Sequence, residues 1–246
     1  MDGGIHLTTL VAIGCSHANG CMIDGEAGSS RYNQECSYAG VFSHIKKFNY
    51  INMSTNGASN QYIYRNTIKF ITNHMIPNED YFFMISWTGW PRLELRYSND
   101  SSNFHDTIAE FSDHRYIPFT SQTHPSIFKE NSFKKLLKFS PDIFDKTMMM
   151  DHWASYVYGL QCIFENNNIP YIMFNTCDEL EETANNKGTL EHIDTKKYYK
   201  PFTRSDSFLT WSLNEGYKKT PCWHLGADAH FAWAELMLDF IDENNQ

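Results

Sequence analysis

The sequence predicts an α/β protein in which a parallel sheet is covered by helices on both faces. Short runs of apolar, β-branched and aromatic residues are typical of buried strands. Along the chain these runs alternate with longer amphipathic stretches, which are typical of helices. Strands that are separated by helices form parallel sheets. At 246 residues, the chain is long enough for one such domain, and we expect residues 1–246 to form a single domain.

Four strands and four helices can be assigned in order. The predicted strands are 8–13, 50–53, 81–86 and 170–175. The predicted helices are 35–48, 58–75, 150–166 and 227–243. In the first helix Tyr38, Val41, Phe42 and Ile45 share one face. The second helix carries Ile63, Ile68 and Ile71 on its inward face and stops before Pro77.

Two segments, 88–148 and 184–222, interrupt this alternation as insertions. Unpatterned segments of this length in a compact domain are usually lids, binding loops or small inserted elements. Each follows a predicted strand, so each could overhang the carboxyl edge of the sheet, where open α/β sheets bind ligands. The first segment contains His105, His114 and His124, whose spacing matches no metal motif. We therefore predict no metal and no cofactor.

The composition argues against several classes of partner. Lys and Arg number 20 and Asp and Glu number 29, so the net charge is −9, which disfavours nucleic acid and anionic membranes as main partners. No apolar run reaches the ~18 residues of a membrane span, and the first residues lack the basic start of a signal peptide. The six cysteines include no Cys-x-x-Cys pair and indicate reduced thiols. The expected location is cytoplasmic; the oligomeric state is open.

Ser16 is the first candidate for chemistry. The run 8–13 ends abruptly in Gly14-Cys15-Ser16, and a serine in the turn after a parallel strand lies at the ligand-binding edge of the sheet. A helix after this turn would aim its N–H groups at the same place and favour a developing negative charge. Two alternatives remain: a tight turn that merely prefers small residues, or a phosphate loop. The Gly-x-x-x-x-Gly-Lys pattern of the latter is absent.

Two histidines near the C-terminus are candidates for a general base. His224 precedes the last predicted helix, so it could reach from a loop into a cleft. His230 lies within that helix and could equally be a packed core residue. Taken singly, either histidine fits a structural role. Its pairing with a serine at a strand end favours catalysis.

The order of these segments resembles the SGNH, or GDSL-like, hydrolase family, which implies a three-layer α/β/α sandwich with a flavodoxin-like parallel sheet. Gly14-Cys15-Ser16 resembles the block that carries the nucleophile. Residues 52–60 resemble the second block, with Gly57 as an oxyanion donor and Asn60 in a Gly-Ala-Ser-Asn signature. Residues 85–94 stand where the third block is expected. The ending around His224 resembles the block that supplies the base.

The chain departs from the family pattern at three positions. Cys15 stands where aspartate is usual. The asparagine of the third block is missing, and Thr88 is nearest to its place. Pro221 replaces the aspartate three residues before His224, so either a Ser–His dyad operates or an acid from elsewhere serves, with Asp206 and Glu215 as candidates. In an alternative register, Asp228 and His230 form the acid–base pair, although Asp228 also suits the first turn of a helix.

The resemblance implies a serine esterase. Ser16 would attack an ester carbonyl, His224 would move the proton, and the N–H groups of Ser16 and Gly57 would hold the oxyanion. Arg92 could bind substrate or could pair with Glu94 to brace the insertion. The expected partner is a small-molecule or glycan ester, since the aromatic residues of the first insertion suit a sugar ring. The rival hypothesis is a non-catalytic SGNH-like module that binds a carbohydrate or another ligand.

Overall fold

The computed structural model describes residues 7–23, 30–96, 116–120, 145–221 and 223–244, without the side chains of 95, 96 and 116–120. The strands are β1 (Thr9–Ile13), β2 (Asn49–Asn52), β3 (Tyr81–Trp87), β4 (Arg92–Arg96), β5 (Tyr116–Thr120), β6 (Tyr171–Asn175) and β7 (Tyr198–Tyr199). The helices are α1 (Arg31–Cys36), α2 (Tyr38–Lys46), α3 (Asn60–Asn73), α4 (Lys146–Asn166), α5 (Lys187–Leu190), α6 (Phe208–Asn214) and α7 (Ala227–Asn244).

Five strands form a sheet in the order β2-β1-β3-β6-β7, and each pairing is parallel. The four predicted strands are therefore confirmed as neighbours in one parallel sheet. The fifth strand, β7, comes from the segment 184–222, for which no strand was expected. The order 2-1-3 at one side of the sheet is that of flavodoxin-like folds. It brings the carboxyl ends of β2, β1, β3 and β6 to one edge.

Alternate residues of each strand enter two separate cores. In β1, Val11 and Ile13 pack in the cluster that contains side chains of α3 and α4, whereas Leu10 and Ala12 pack in the cluster that contains α2 and α7. All four are at most 1% exposed. A strand buried on both faces is continuously apolar rather than alternating, which is why the run was recognisable in the sequence. The fold is a three-layer α/β/α sandwich.

The predicted helix 35–48 is wrong as a single element, because two helices meet at Ser37. The backbone of Ser37 is extended (φ −67°, ψ 158°), and its side chain accepts a hydrogen bond from Gly40 N. This N-cap starts α2 in a new direction. A Cβ on Gly40 would lie 2.4 Å from the carbonyl oxygens of Gln34 and Glu35, so the close approach of α1 requires glycine.

The other three predicted helices are confirmed, and side-chain N-caps mark where α3 and α4 begin. The Ser59 side chain accepts from Tyr62 N at the start of α3, and Asp145 accepts from Thr147 N and Met148 N at the start of α4. Helix α4 consequently begins four residues earlier than predicted. Among the described helices, none is long and apolar enough to cross a membrane.

The insertions contain regular elements that had no clear sequence signal. In 88–148 the described part forms an antiparallel pair of β4 and β5. The bidentate ion pair of Arg65 with Glu94 joins β4 to α3. The segment 184–222 contains α5, β7 and α6. His105, His114 and His124 lie outside the described residues.

Candidate functional site at the carboxyl edge of the sheet

The turn that follows β1 carries Ser16. Hydrogen bonds from Asn19 N to Cys15 O (3.0 Å) and from Cys21 N to Ser16 O (2.9 Å) close it. Residues 16–23 form successive turns, so the expectation of a helix directly after Ser16 is wrong. The reason for the glycine at 14 is close packing, because a Cβ there would lie 1.9 Å from Ser86 Oγ of the neighbouring strand. Ser16 itself is 9% exposed.

Gly57 lies in the loop that follows β2, and this loop is tied to the Ser16 turn. Thr55 N donates to Gly14 O (3.2 Å), and Asn19 Nδ2 donates to Asn56 Oδ1 (3.2 Å). Gly57 has a φ of +77°, in the left-handed region that favours glycine. Within the described residues, neither Ser16 N nor Gly57 N donates a hydrogen bond. These two N–H groups are therefore backbone donors without a partner in the part of the chain that the structure describes.

Asn60 and Thr88 are joined by a reciprocal pair of hydrogen bonds. Asn60 Nδ2 donates to Thr88 O (3.1 Å), and Thr88 N donates to Asn60 Oδ1 (2.8 Å). Both residues are buried, so the amide of Asn60 fixes the backbone where β3 ends. The Thr88 hydroxyl is also buried and has no hydrogen-bond partner among the described residues. Asn60 thus fixes the backbone at the end of β3, and the unpaired Thr88 hydroxyl lies at the same junction.

Arg92 lies near Cys15 and does not pair with Glu94. Its Nη1 donates to Ala58 O (3.4 Å), while Glu94 binds Arg65. Burial by itself would lower the pKa of Arg92, but the proximity of Cys15 and Cys177 raises it overall. The suggested pairing of Arg92 with Glu94 is therefore wrong. Arg92 is a half-buried cation that contacts the loop containing Gly57 through Ala58 O.

Cys177 also lies near this guanidinium. Desolvation, followed by the nearby Cys15, raises the pKa of Cys177 to about 12. Nucleophilic chemistry requires the thiolate. Cys15, by contrast, is fully buried.

His224 is presented by a tight loop before α7. An antiparallel bridge joins Lys219 and Leu225, and Thr220 N and Oγ1 donate to His224 O at 2.7 and 3.0 Å. The loop brings the imidazole of His224 to the Ser16 turn, where its ring centroid lies 4.9 Å from that of His17. The loop that contains His224 and the turn that contains Ser16 are more than 200 residues apart in sequence. They meet at one edge of the sheet.

His230 is a core residue. It is 1% exposed, its Nδ1 accepts from Tyr38 N (3.1 Å), and its ring stacks on that of Tyr38. Burial, followed by the nearby His224, lowers the pKa of His230 to about 3. Asp228 is exposed and accepts from the N–H of Ala229. The structure does not bring Asp228 and His230 together as an acid–base pair.

The two candidate acids in the second insertion do not pair with His224. Asp206 accepts from Lys200 Nζ at 2.7 Å, and Glu215 is exposed at the end of α6. Neither forms a hydrogen bond with His224. No group of three or more His, Cys, Asp or Glu side chains in the described part of the chain could hold a metal ion.

His17 is the residue of this site that the sequence analysis missed. It is 6% exposed, and its Nδ1 has no hydrogen-bond partner among the described residues. Its ring contacts His224 and packs edge-on against Phe208, with centroids 5.5 Å apart. Burial, followed by the proximity of His224 and His230, holds the pKa of His17 well below 6.5. Its position directly after Ser16 was the only sequence signal for a role at the site.

The chain matches no protein-family model and no curated protein sequence. Its fold is similar to a carbohydrate esterase family 2 enzyme with a carbohydrate-binding domain from Corynascus thermopiles (Myceliophthora fergusii), at a TM-score of 0.51 and 10% identity, over 96% of this chain and 66% of that one. A carbohydrate esterase described as having divergent catalytic and non-catalytic binding functions is similar at a TM-score of 0.46 and 10% identity, over 96% of this chain and 65% of that one. A two-domain esterase active on acetylated mannans is similar at a TM-score of 0.47 and 13% identity, over 97% of this chain and 50% of that one.

This chain thus spans half to just under two thirds of the length of these three esterases. At 10% identity the likeness to the family 2 enzyme concerns the fold. It agrees with the three-layer α/β/α fold that the strand order 2-1-3 and the helices on both faces define.

Proposed function

We propose that this protein is a serine ester hydrolase with Ser16 as nucleophile and His224 as general base. The observation that carries the proposal is the meeting of the His224 loop with the Ser16 turn, since the two rings on these segments lie 4.9 Å apart at the carboxyl edge of the sheet. A general base must be within reach of the proton that it removes. Ser16 Oγ makes no hydrogen bond to another described residue, and we expect it to donate one to His224 when substrate binds.

The chemistry follows from these positions. Ser16 Oγ forms a bond with the ester carbonyl carbon while His224 accepts the hydroxyl proton. The carbonyl oxygen becomes negative next to Ser16 N and Gly57 N, the two unused donors. The alkoxide then leaves with the proton from His224. A water molecule, activated by the same imidazole, hydrolyses the acyl-enzyme and restores Ser16.

For the substrate we propose an acyl group carried on a carbohydrate. The fold similarity to a carbohydrate esterase supports this class. Release of acetate from acetylated oligosaccharides, compared with hydrolysis of p-nitrophenyl acetate, measures the preference. A protein that hydrolyses the aryl ester but none of the acetylated sugars would contradict the carbohydrate part of the proposal and leave the esterase part intact.

A fluorophosphonate probe tests the nucleophile. We expect covalent labelling of the wild type, an adduct on the peptide that contains Ser16, and no labelling of Ser16→Ala. Ser54→Ala is the matched control, because Ser54 is buried just after β2 at the same edge and its hydroxyl has no partner among the described residues. Absence of labelling in the folded wild type would favour the non-catalytic binding module, and labelling that persists in Ser16→Ala would place the nucleophile elsewhere.

A further inference from the structure

We propose that Trp223 is an aromatic platform on which a sugar ring of the substrate stacks, next to Ser16 and His224. The inference rests on the proposed function and names a residue that binds the alcohol part of the ester. Trp223 directly precedes His224 in the loop before α7. Neither packing nor backbone preference accounts for an indole at this position.

Trp223 is the one exposed tryptophan of the protein. All six tryptophans lie in the described part of the chain. Three of them are at most 1% exposed, whereas Trp223 is 75% exposed. Tryptophan carries a large apolar surface and is highly buried on average. At this exposure the indole adds little to the core, so packing does not explain it.

The backbone of Trp223 lies in the left-handed region, with a φ of +70°. Glycine adopts this conformation readily, but a bulky side chain is strained there. The loop fixes the conformation, because Trp223 N donates to Thr220 O at 3.0 Å and Thr220 N donates to His224 O at 2.7 Å. Residues held in such strained conformations cluster at active sites and ligand clamps. The indole is therefore best explained by a contact with a molecule outside the chain.

Lys219 places the indole at the rim of the site. Its Nζ lies 5.0 Å from the centroid of the Trp223 ring, in cation–π contact. Burial, followed by nearby histidines and by cations that include Lys219, lowers the pKa of His17, so Lys219 lies close to the residue that follows Ser16. The ammonium takes one face of the indole. Because the side chain is 75% exposed, the opposite face is accessible.

The exposure of Ser16 and Trp223 indicates which part of the substrate meets the indole. The ester carbonyl carbon must reach Ser16, which is 9% exposed. We therefore expect the acyl group to lie deeper in the protein and the alcohol part to extend towards Trp223. A sugar ring has faces of C–H groups and an edge of hydroxyl groups. It can stack on the electron-rich face of an aromatic ring while its hydroxyl groups stay in water.

The experiment compares Trp223→Gly with Trp223→Phe on acetylated xylotetraose, cellotetraose and mannotetraose and on ethyl acetate, an ester without a ring. We expect Trp223→Gly to lower the ratio of kcat/KM for the preferred tetraose to that for ethyl acetate by about five- to tenfold, mainly through KM. Trp223→Phe keeps a ring, so the ratio should stay within about twofold of the wild type. Trp223→Gly should melt at or above the wild-type temperature, because glycine relieves the backbone strain.

Tyr158→Ala is the matched control. Tyr158 is an exposed ring of α4, a helix that packs on the opposite face of the sheet from α7, so its loss should leave the ratio unchanged. An unchanged ratio in Trp223→Gly would overturn the platform and leave the esterase proposal intact. Equal losses on the tetraose and on ethyl acetate, or a melting temperature well below that of the wild type, would also overturn it, since the indole would then serve to support the His224 loop.

A binding measurement separates the platform from catalysis. The indole N–H resonance of Trp223, assigned by its loss in Trp223→Phe, should shift when the acetylated tetraoses are added to Ser16→Ala. If the wild type has no esterase activity but this resonance shifts, the proposed function fails and the platform stands. No shift with any of the three tetraoses would overturn the platform. A shift that depends on protein concentration alone would also overturn it, because the ring would then lie between two copies of the chain.

Discussion

The backbone N–H of Tyr38 donates a hydrogen bond to Nδ1 of His230 at 3.1 Å, and this bond joins the start of α2 to α7 across 192 residues of sequence. The acceptor nitrogen must be unprotonated, which agrees with a pKa of about 3 for His230. Of the two C-terminal histidines, this one is committed to the core, whereas His224 is only half-buried at the site. The division of roles between them makes the variants of each informative.

We expect His224→Ala to reduce kcat by about 10²-fold or more, in the range for loss of general-base catalysis, with little change in thermal stability. His230→Ala should act in the opposite way, because it removes a packed ring and the acceptor of Tyr38 N. We expect it to lower the free energy of unfolding by about 2–4 kcal/mol. Urea unfolding and steady-state kinetics on the same preparations measure both. If His230→Ala is stable but has lost turnover, the general base is His230 and not His224.

Cys15 should be dispensable for catalysis. It is fully buried next to Ser16, and Cys15→Ala removes one small apolar group, so we expect activity within about threefold of the wild type and a loss of about 1 kcal/mol in stability. Fluorophosphonate labelling and ester hydrolysis are the measurements. Complete inactivation by Cys15→Ala combined with an active Ser16→Ala would assign the chemistry to the thiol.

Asn60→Leu should destabilise the protein, because it removes both hydrogen bonds to the backbone of Thr88 and leaves two buried groups unpaired. A loss of about 2–4 kcal/mol in the free energy of unfolding is expected. Thr88→Val is the matched comparison at the same junction. Its hydroxyl is unpaired among the described residues, so its removal should be neutral or stabilising. Chemical denaturation compares the two, and equal destabilisation would contradict the account of this clamp.

Thr88→Val also tests the third oxyanion donor, through a different measurement. If the hydroxyl of Thr88 serves in place of the asparagine, kcat should fall by about 10²-fold with KM nearly unchanged, which is the usual effect of losing one donor. The stability measured above separates this loss from misfolding. An unchanged kcat would leave Ser16 N and Gly57 N as the donors.

The stability of the protein should fall as the pH decreases from about 6.5. The pKa values of His17 and His230 are lowered in the folded state, so the unfolded chain binds protons that the native protein does not. Unfolding is then favoured by about 1.4 kcal/mol per pH unit for each of these histidines, and this term is absent above pH ~6.5. Urea unfolding between pH 7.5 and 5 measures the slope. His17→Phe should reduce the slope by about half, and the exposed-site variant His192→Gln should leave it unchanged.

The sequence by itself determined four of the five strands of the parallel sheet and the helices α3, α4 and α7. Strands 8–13, 81–86 and 170–175 are buried on both faces, so their apolar runs are continuous and local composition is enough to recognise them. Ser16 and Gly57 were also accessible to sequence reasoning, because each lies just after a strand. The break at Ser37 was not, since serine and glycine also occur inside helices and only the cap geometry distinguishes the cases.

Tertiary structure alone decided the partners of the polar side chains at the site. The pairing of Glu94 with Arg65, the placement of Arg92 beside Cys15, the clamp of Asn60 on Thr88 and the contact of His17 with His224 each join residues from separate elements. A local pattern shows which face of an element is apolar, because burial repeats with the period of that element. It contains no information on which distant polar group meets which, since that depends on how strands and loops far apart in the chain are brought to one edge of the sheet.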